Sequence, residues 1–284
     1  MRILLTGAAG QLGRQIRLHA AGHDLVALSH KELDISNLAE VRSAVAANRP
    51  DLVLNAAAFN DVDRAESDPD SAYAGNALGP RNLSLAAAEK GAAILHVSTD
   101  YVFDGASTRP YHEYDRPAPL SNYARSKLAG EVAVRALNPR HYIVRTAWVF
   151  EPQGNNFPKT LYFLALKHKE VRVVNDVKGS PTSAAHLAAA ILNLVETQAF
   201  GDYHFAGGGD GASWFDLALC FFRELKMDTI VTPAPSTEYP RPAPRPRYSV
   251  LRTIQQPRIV LPPWQEGIAE FARAVKAQFG DLAR

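Results

Sequence analysis

One cysteine, Cys220, stands among 284 residues. A disulfide framework within the chain is excluded, and the reducing cytoplasm is the expected location. An excess of either charge is also missing. There are 31 Lys and Arg against 29 Asp and Glu, for a formal net charge of +2. Such a balance provides no field for a polyanion, so neither nucleic acid nor a membrane surface is an expected partner. No apolar run approaches the ~20 residues that cross a bilayer. The opening stretch Met1–Gly7 reads as a strand running into a glycine loop, not as a secretory leader. What is present is enough chain to bury a large core, as one big domain or two.

The first half alternates short apolar runs with helical patterns. Ile3–Thr6, Leu25–Leu28, Leu52–Asn55, Ala93–Ser98 and His141–Thr146 read as strands. Between them Gln11–Ala20, Leu38–Ala47, Ala72–Lys90 and Asn122–Leu137 read as helices, with Gly91 stopping the third. This alternation predicts an α/β fold, a Rossmann-type doubly wound parallel sheet. After about residue 150 the rhythm loosens. Asn156–His168, Ser183–Glu196 and Trp264–Phe279 read as helices and Tyr203–Ala206 as a strand. Ser213-Trp214-Phe215-Asp216 has the form of a capping box, and Cys220 falls on the apolar side of the helix it opens. Thr232–Arg247 is proline-rich, with Arg241, Arg245 and Arg247 interleaved. The expected division is a dinucleotide-binding domain over 1–150, with returns at roughly 180–205. A smaller, interleaved C-terminal α/β substrate-binding domain takes up most of 151–284.

Three segments carry chemistry. The first is Thr6-Gly7-Ala8-Ala9-Gly10-Gln11-Leu12-Gly13, directly after the first strand. One glycine permits the tight turn, another lets the backbone approach a pyrophosphate, and the third lets helix and strand pack closely. The helix N-terminus adds free N–H groups and partial positive charge. The spacing is a variant of the dinucleotide fingerprint, and its place between strand and helix favours a cofactor cradle over a plain turn. At the end of the second strand, Leu28-Ser29-His30-Lys31 contains no acid for the ribose hydroxyls, and Glu32 and Asp34 come later. Ser29, His30, Lys31 and Arg14 could accept a 2′-phosphate. NADPH is therefore the expected cofactor with NADH also open, although these are equally ordinary loop residues.

The second and third segments are Ser98-Thr99-Asp100 at a strand end and Tyr123-x-x-x-Lys127 on a helix. Residues four apart share a helix face. A free phenol, with a pKa near 10, yields its proton poorly at neutrality. A neighbouring ammonium lowers that pKa, so Lys127 is expected to assist Tyr123 as a proton donor. Tyr-x-x-x-Lys also arises by chance. Thr99 raises its weight, because ligands of parallel sheets collect at the carboxyl ends of the strands. The cofactor would bring hydride, and the protein orientation and a proton.

With these motifs the chain resembles the extended short-chain dehydrogenases/reductases, and within them the dTDP-4-dehydrorhamnose reductases. The resemblance spans nearly the whole chain. It includes Asn55-Ala56-Ala57-Ala58, Asp63-Arg64-Ala65-Glu66, Ser98–Gly105, Arg145–Phe150, Gly154–Phe157, Gly179–Thr182, Tyr203-His204 and Tyr239–Pro246. It implies NAD(P)H-dependent reduction of dTDP-4-dehydro-β-L-rhamnose to dTDP-L-rhamnose. It further implies Tyr123 as acid, Lys127 as its partner and Thr99 as second hydroxyl. Gly7, Gly10, Gln11, Leu12, Gly13, Ser29, His30, Asp34, Ile35, Asn55, Ala56 and Ala57, with Tyr123 and Lys127, would meet the cofactor. Asp100, Trp148, Asn156 and Arg245 would meet the sugar nucleotide.

From the residues alone, arginines suit a diphosphate. The proline-rich segment could equally be a stiff linker, and Trp148 a core residue. Some relatives dimerise through a glutamate-held metal; here the first helix reads Arg14-Gln15-Ile16, so no metal is expected and monomer or homodimer stays open. Tyr248 stands where relatives often carry asparagine. His19 and His23 read as a helix end, Gly207–Gly211 as a plain loop, and Asp63, Glu66, Asp68 and Asp70 as a solvated cluster. A sister keto-sugar reductase and a non-catalytic subunit of this fold are the rival readings. A dehydratase fits less well, since Tyr101 follows Asp100 where such enzymes place glutamate.

Overall fold

Short, mainly apolar runs can be buried as strands of a sheet covered on both faces, and they decide the centre of the molecule. In the computed structural model, which describes residues 1–280, five such segments are β1 (Arg2–Thr6), β2 (Asp24–Leu28), β3 (Leu52–Asn55), β4 (Ala93–Thr99) and β5 (His141–Thr146), with β2 at the edge only partly buried. With Gly201–His204 they form a six-stranded sheet, ordered Gly201–His204, β5, β4, β3, β1, β2, in which every pairing is parallel. Ile3, Leu5, Leu54, Leu95 and Val144 face one core with Ile16, Leu187 and Ile191. Leu4, Val53, Ile94 and Ile143 face the other with Val41, Leu83 and Val134. The chain leaves β1 toward β2 and then returns to β3 on the opposite side of β1. The strand order therefore reverses between β1 and β3, where a crevice opens at the carboxyl edge.

The segment expected as one helix over Ala72–Lys90 is broken. Pro69–Tyr73 and Gly79–Glu89 are α-helical, and Ala74–Leu78 between them is a π-turn. Pro80 has no N–H to give the Asn76 carbonyl. That carbonyl instead meets Gly130, where an added Cβ would lie 2.1 Å from it. The Asn76 side chain is committed elsewhere, to both backbone groups of Phe59 and to Ser126.

A third core gathers Phe150, Leu161, Val171, Phe221, Ile268 and Phe271 from the later part of the chain. It lies under a parallel two-stranded ribbon, Glu170–Val174 with Ile230–Ala234. The start of the proline-rich segment is thus a strand. Pro233 is tolerated because a two-stranded ribbon has only edges. Ser213 and Asp216 form the expected reciprocal capping box, and Cys220 is buried as a free thiol on that helix.

Candidate active site

Two cavities of about 540 and 430 Å³ lie along the carboxyl edge of the sheet, and they share Gly10, Ala56, Ala58 and Asn60. The glycine loop forms the floor at their junction. Gly7 has φ +74°, and a Cβ there would lie 2.5 Å from the Ala57 nitrogen. A Cβ on Gly13 would lie 2.2 Å from the Gly7 carbonyl oxygen. Gly13 therefore brings helix to strand and lines neither cavity, while Gly7, Gly10, Gln11 and Leu12 do line them. The helix Gln11–His19 opens at Gly10 with no side-chain cap and no acid in its first turn. That end suits a pyrophosphate.

Asn55 acts from beneath. It is fully buried, and its Oδ1 accepts from Thr6 Oγ1 at 2.7 Å and Ala57 N at 3.0 Å, fixing the Ala56-Ala57 turn that lines the cavity. The larger cavity continues to His30, Asp34 and Ile35. The Asp34 carboxylate is held below its ordinary range by the Ser36 hydroxyl and N–H. Ser29 does not line this cavity; its hydroxyl and N–H both go to Glu32. Arg14 is engaged by Glu151 and the Ala9 carbonyl. Of the candidates for a 2′-phosphate, His30 is the one at the cavity wall, joined by Arg64, which the sequence reading did not assign to the cofactor.

The smaller cavity brings together Thr99, Tyr123 and Lys127. Ser121 caps the helix Asn122–Leu137 by accepting from Ala124 N at 3.2 Å, which puts Tyr123 on the first turn and Lys127 one turn on. Both line the cavity with Thr99 and Asp100 from the end of β4. Tyr123 is pushed up to about 12 by burial, against the pull of a hydrogen bond to the Thr99 hydroxyl. This is the reverse of the expected lowering by Lys127: burial sets the direction, and the Asp100 carboxylate adds to it. Lys127 Nζ donates to the Val97 carbonyl at 2.7 Å and is pushed down to about 8 by burial, with the Glu131 carboxylate opposing. Asp100 is pushed up to about 7 by burial, although the Ser249 hydroxyl donates to it at 2.6 Å and the Thr99 hydroxyl at 3.1 Å.

The substrate candidates divide. Trp148, at φ +45°, lines the cavity and stacks on Trp214 with centroids 3.4 Å apart and rings 5° from parallel. Trp214 was legible only as part of the capping box, and nothing in the spacing pairs it with Trp148. Asn156 lies behind the wall: it caps Phe157–Ala165 and its Nδ2 donates to Gln11 Oε1 at 3.0 Å, while its neighbour Asn155 lines the cavity. Arg245 is bound to Asp63, so Asp63 is an ion-pair partner and not merely solvated. Arg245 lines neither cavity itself but lies beside Tyr101, a wall residue.

The residues fit a dinucleotide. The glycine cradle excludes a Cβ, the helix end above it is uncapped, and Thr146 Oγ1 is buried beside the smaller cavity with no hydrogen-bond partner.

Comparison with known proteins agrees with this geometry. Residues 1–277 match the family described as RmlD substrate binding domain. A dTDP-4-dehydrorhamnose reductase of Mycobacterium tuberculosis is 43% identical over 284 aligned positions, covering 97% of this chain and 93% of its own. A crystal structure of a dTDP-4-dehydrorhamnose reductase from Clostridium acetobutylicum superposes with a TM-score of 0.93 at 42% identity, over 97% of this chain and 100% of its own. One from Bacillus anthracis, in complex with NADP, gives 0.92 at 38% identity, over 95% and 98%. Fold, cradle and Tyr–Lys pair thus coincide with full-length similarity, and the chain belongs to the RmlD family of dTDP-4-dehydrorhamnose reductases.

Proposed function

We propose that this protein reduces the C4 ketone of dTDP-4-dehydro-β-L-rhamnose to give dTDP-L-rhamnose, with NADPH as cofactor and NADH as a second donor. The observation that carries this reading is the placement of Thr99, Tyr123 and Lys127 in one cavity that runs into the glycine cradle. When bound there, the nicotinamide supplies the hydride. Tyr123, protonated at neutral pH, gives its proton to O4 as the carbonyl carbon becomes tetrahedral. With substrate bound, the Thr99 hydroxyl turns from Asp100 to donate a second hydrogen bond to that oxygen, and the buried Lys127 ammonium favours negative charge developing beside it. The oxygen that gains this proton leaves as the product's hydroxyl, and Tyr123 regains its proton from solvent.

Gly7, Gly10, Gln11 and Leu12 hold the pyrophosphate of the cofactor, and Asp34 and Ile35 its adenosine end. Trp148 and Trp214 wall the sugar, and Arg245 meets the diphosphate. Of residues 151–280, Asn155 and Trp214 line the smaller cavity, and the rest of its wall comes from the first 150 residues. The enzyme works in the cytoplasm as a monomer or homodimer, on a small molecule, without nucleic acid or membrane. Among the described residues no helix is long and apolar enough to cross a membrane.

The test is to supply enzymatically made dTDP-4-dehydro-L-rhamnose with NADPH and to read the product by NMR. Rhamnose configuration at C4 is expected. The talose configuration would assign the enzyme to a sister pathway.

A further inference from the structure

The helix Asn122–Leu137 carries Tyr123, Lys127, Glu131 and Arg135 at intervals of four, so the four share one face. The stripe continues the catalytic pair into the protein. Glu131 is fully buried. Its carboxylate accepts from Arg145 of β5 through Nε at 2.9 Å and Nη2 at 2.7 Å, and from Arg135 at 2.8 Å. Arg135 also grips Asp202 on the neighbouring strand. Lys127 differs from these arginines. Among the described residues it has no carboxylate within ion-pairing distance, and its Nζ is tied only to the Val97 carbonyl.

The groups around this lysine can be enumerated. On its own helix stand Tyr123, Glu131 and Arg135; from β4 and its end come His96 and Asp100; from β5 comes Arg145, backed by His204. The helical stretch 69–89 packed against the same helix contributes the neutral Asn76 and Ser84. Asp100 is buried and raised to about 7, so it is about half protonated at neutral pH, and His96 is neutral. Glu131, one turn along the same buried face, is the anion that opposes the lowering of Lys127 by burial. The two arginines keep Glu131 ionised: burial alone would raise it, yet it is held at about 2.

We propose that Glu131 is a positioning residue of the reduction: from the turn below, it keeps the Lys127 ammonium charged and directed into the cavity, and Arg145 and Arg135 keep Glu131 itself in place. The consequence for catalysis rests on the reductase reading; the consequence for Lys127 does not. Glu131→Gln removes that anion and leaves the lysine on the same face as the Arg135 and Arg145 cations. Arg145→Met acts in the opposite sense, because it removes a cation and leaves Glu131 to Lys127 and Arg135. A purely structural ion pair predicts no such opposition.

The experiment is an NMR titration of protein labelled with [ε-13C]lysine, with Lys127 assigned through Lys127→Met, alongside the pH dependence of kcat. Glu131→Gln is expected to lower the Lys127 midpoint by about one pH unit or more, and at pH 9 to lower kcat about tenfold beyond wild type. Arg145→Met is expected to raise the midpoint. If the Glu131→Gln protein does not fold, Glu131→Gln/Arg145→Met removes the pair together, and its Lys127 midpoint still falls below wild type. A midpoint unmoved in the folded Glu131 variant overturns the proposal, as does a moved midpoint with an unmoved alkaline limb in an active reductase. A moved midpoint in a protein that reduces no 4-keto sugar nucleotide upholds the role of Glu131 and overturns the reductase reading instead.

Discussion

Arg245 holds Asp63 through both guanidinium nitrogens, Nη1 to Oδ1 and Nη2 to Oδ2, each at 2.9 Å. Asp63 also accepts from the Ala243 N–H, and it is held below its ordinary range chiefly by the Arg245 hydrogen bonds. The pair ties the proline-rich segment to the loop that precedes Arg64–Ser67, beside Val62 and Tyr101 of the cavity wall.

From this pair comes a prediction on affinity. Asp63→Ala leaves Arg245 without its fork partner, and the arginine then meets the substrate diphosphate in no fixed orientation. KM for the nucleotide sugar is expected to rise about tenfold with kcat changed less than about twofold. NADPH affinity, measured by fluorescence, should not move. A fall in kcat with KM unchanged would mean that Asp63 acts on the chemistry instead.

Thr99 differs from Tyr123 in what its loss should cost. Thr99→Val keeps the shape of β4 but removes one hydrogen-bond donor from the reacting oxygen. A loss in kcat of about 10²-fold is expected, the size typical of one such donor. NADPH should still bind with wild-type affinity. A variant within twofold of wild type would remove Thr99 from the chemistry.

Asp100 makes stability depend on pH. Its folded-state pKa, about 7, lies above the ordinary 3.8. The folded protein therefore holds this proton more tightly than the unfolded chain. The stability it contributes is fully present below pH ~4 and is lost as pH rises toward 7, at roughly 1.4 kcal/mol for each pH unit between. Asp100→Asn removes the titration. In urea melts, the stability of the variant relative to wild type should increase from pH 4 to 7 and then level off. A difference that stays flat across that window would show Asp100 ionised in the folded state.

The cradle gives a steric prediction. In Gly13→Ala the new methyl would meet the Gly7 carbonyl oxygen at 2.2 Å and the Ala8 Cα at 2.8 Å, both backbone. Either the helix moves off the strand or the loop opens. A loss of about 1–3 kcal/mol in stability is expected, together with weakened NADPH binding. Wild-type melting with wild-type affinity would contradict the close packing described.

What was legible in the sequence is what the chain writes locally. The glycines follow β1 directly, Tyr123 and Lys127 are one turn apart, and Ser213 and Asp216 cap their own helix; each needs only a few neighbouring residues. The sheet was legible because short, mainly apolar runs alternate with helical patterns over the first half of the chain. What was not legible depends on distant partners. Trp214 meets Trp148, Arg245 meets Asp63, and Arg145 meets Glu131 only once the chain is folded. Ile230–Ala234 becomes a strand only because Glu170–Val174 is there to pair with it. The π-turn at Ala74–Leu78 needs Gly130 of another helix. The direction in which Tyr123 titrates depends on its depth of burial, which spacing does not encode.

The central claim is that Tyr123 delivers the proton in a ketone reduction, and one comparison addresses it. NADPH absorbance is followed with dTDP-4-dehydro-L-rhamnose for wild type and for Tyr123→Phe, both shown to be folded and to bind NADPH. Rapid oxidation by wild type and a kcat about 10²–10⁴-fold lower in the variant are expected. Equal rates for the two proteins, or no oxidation by wild type, would contradict it.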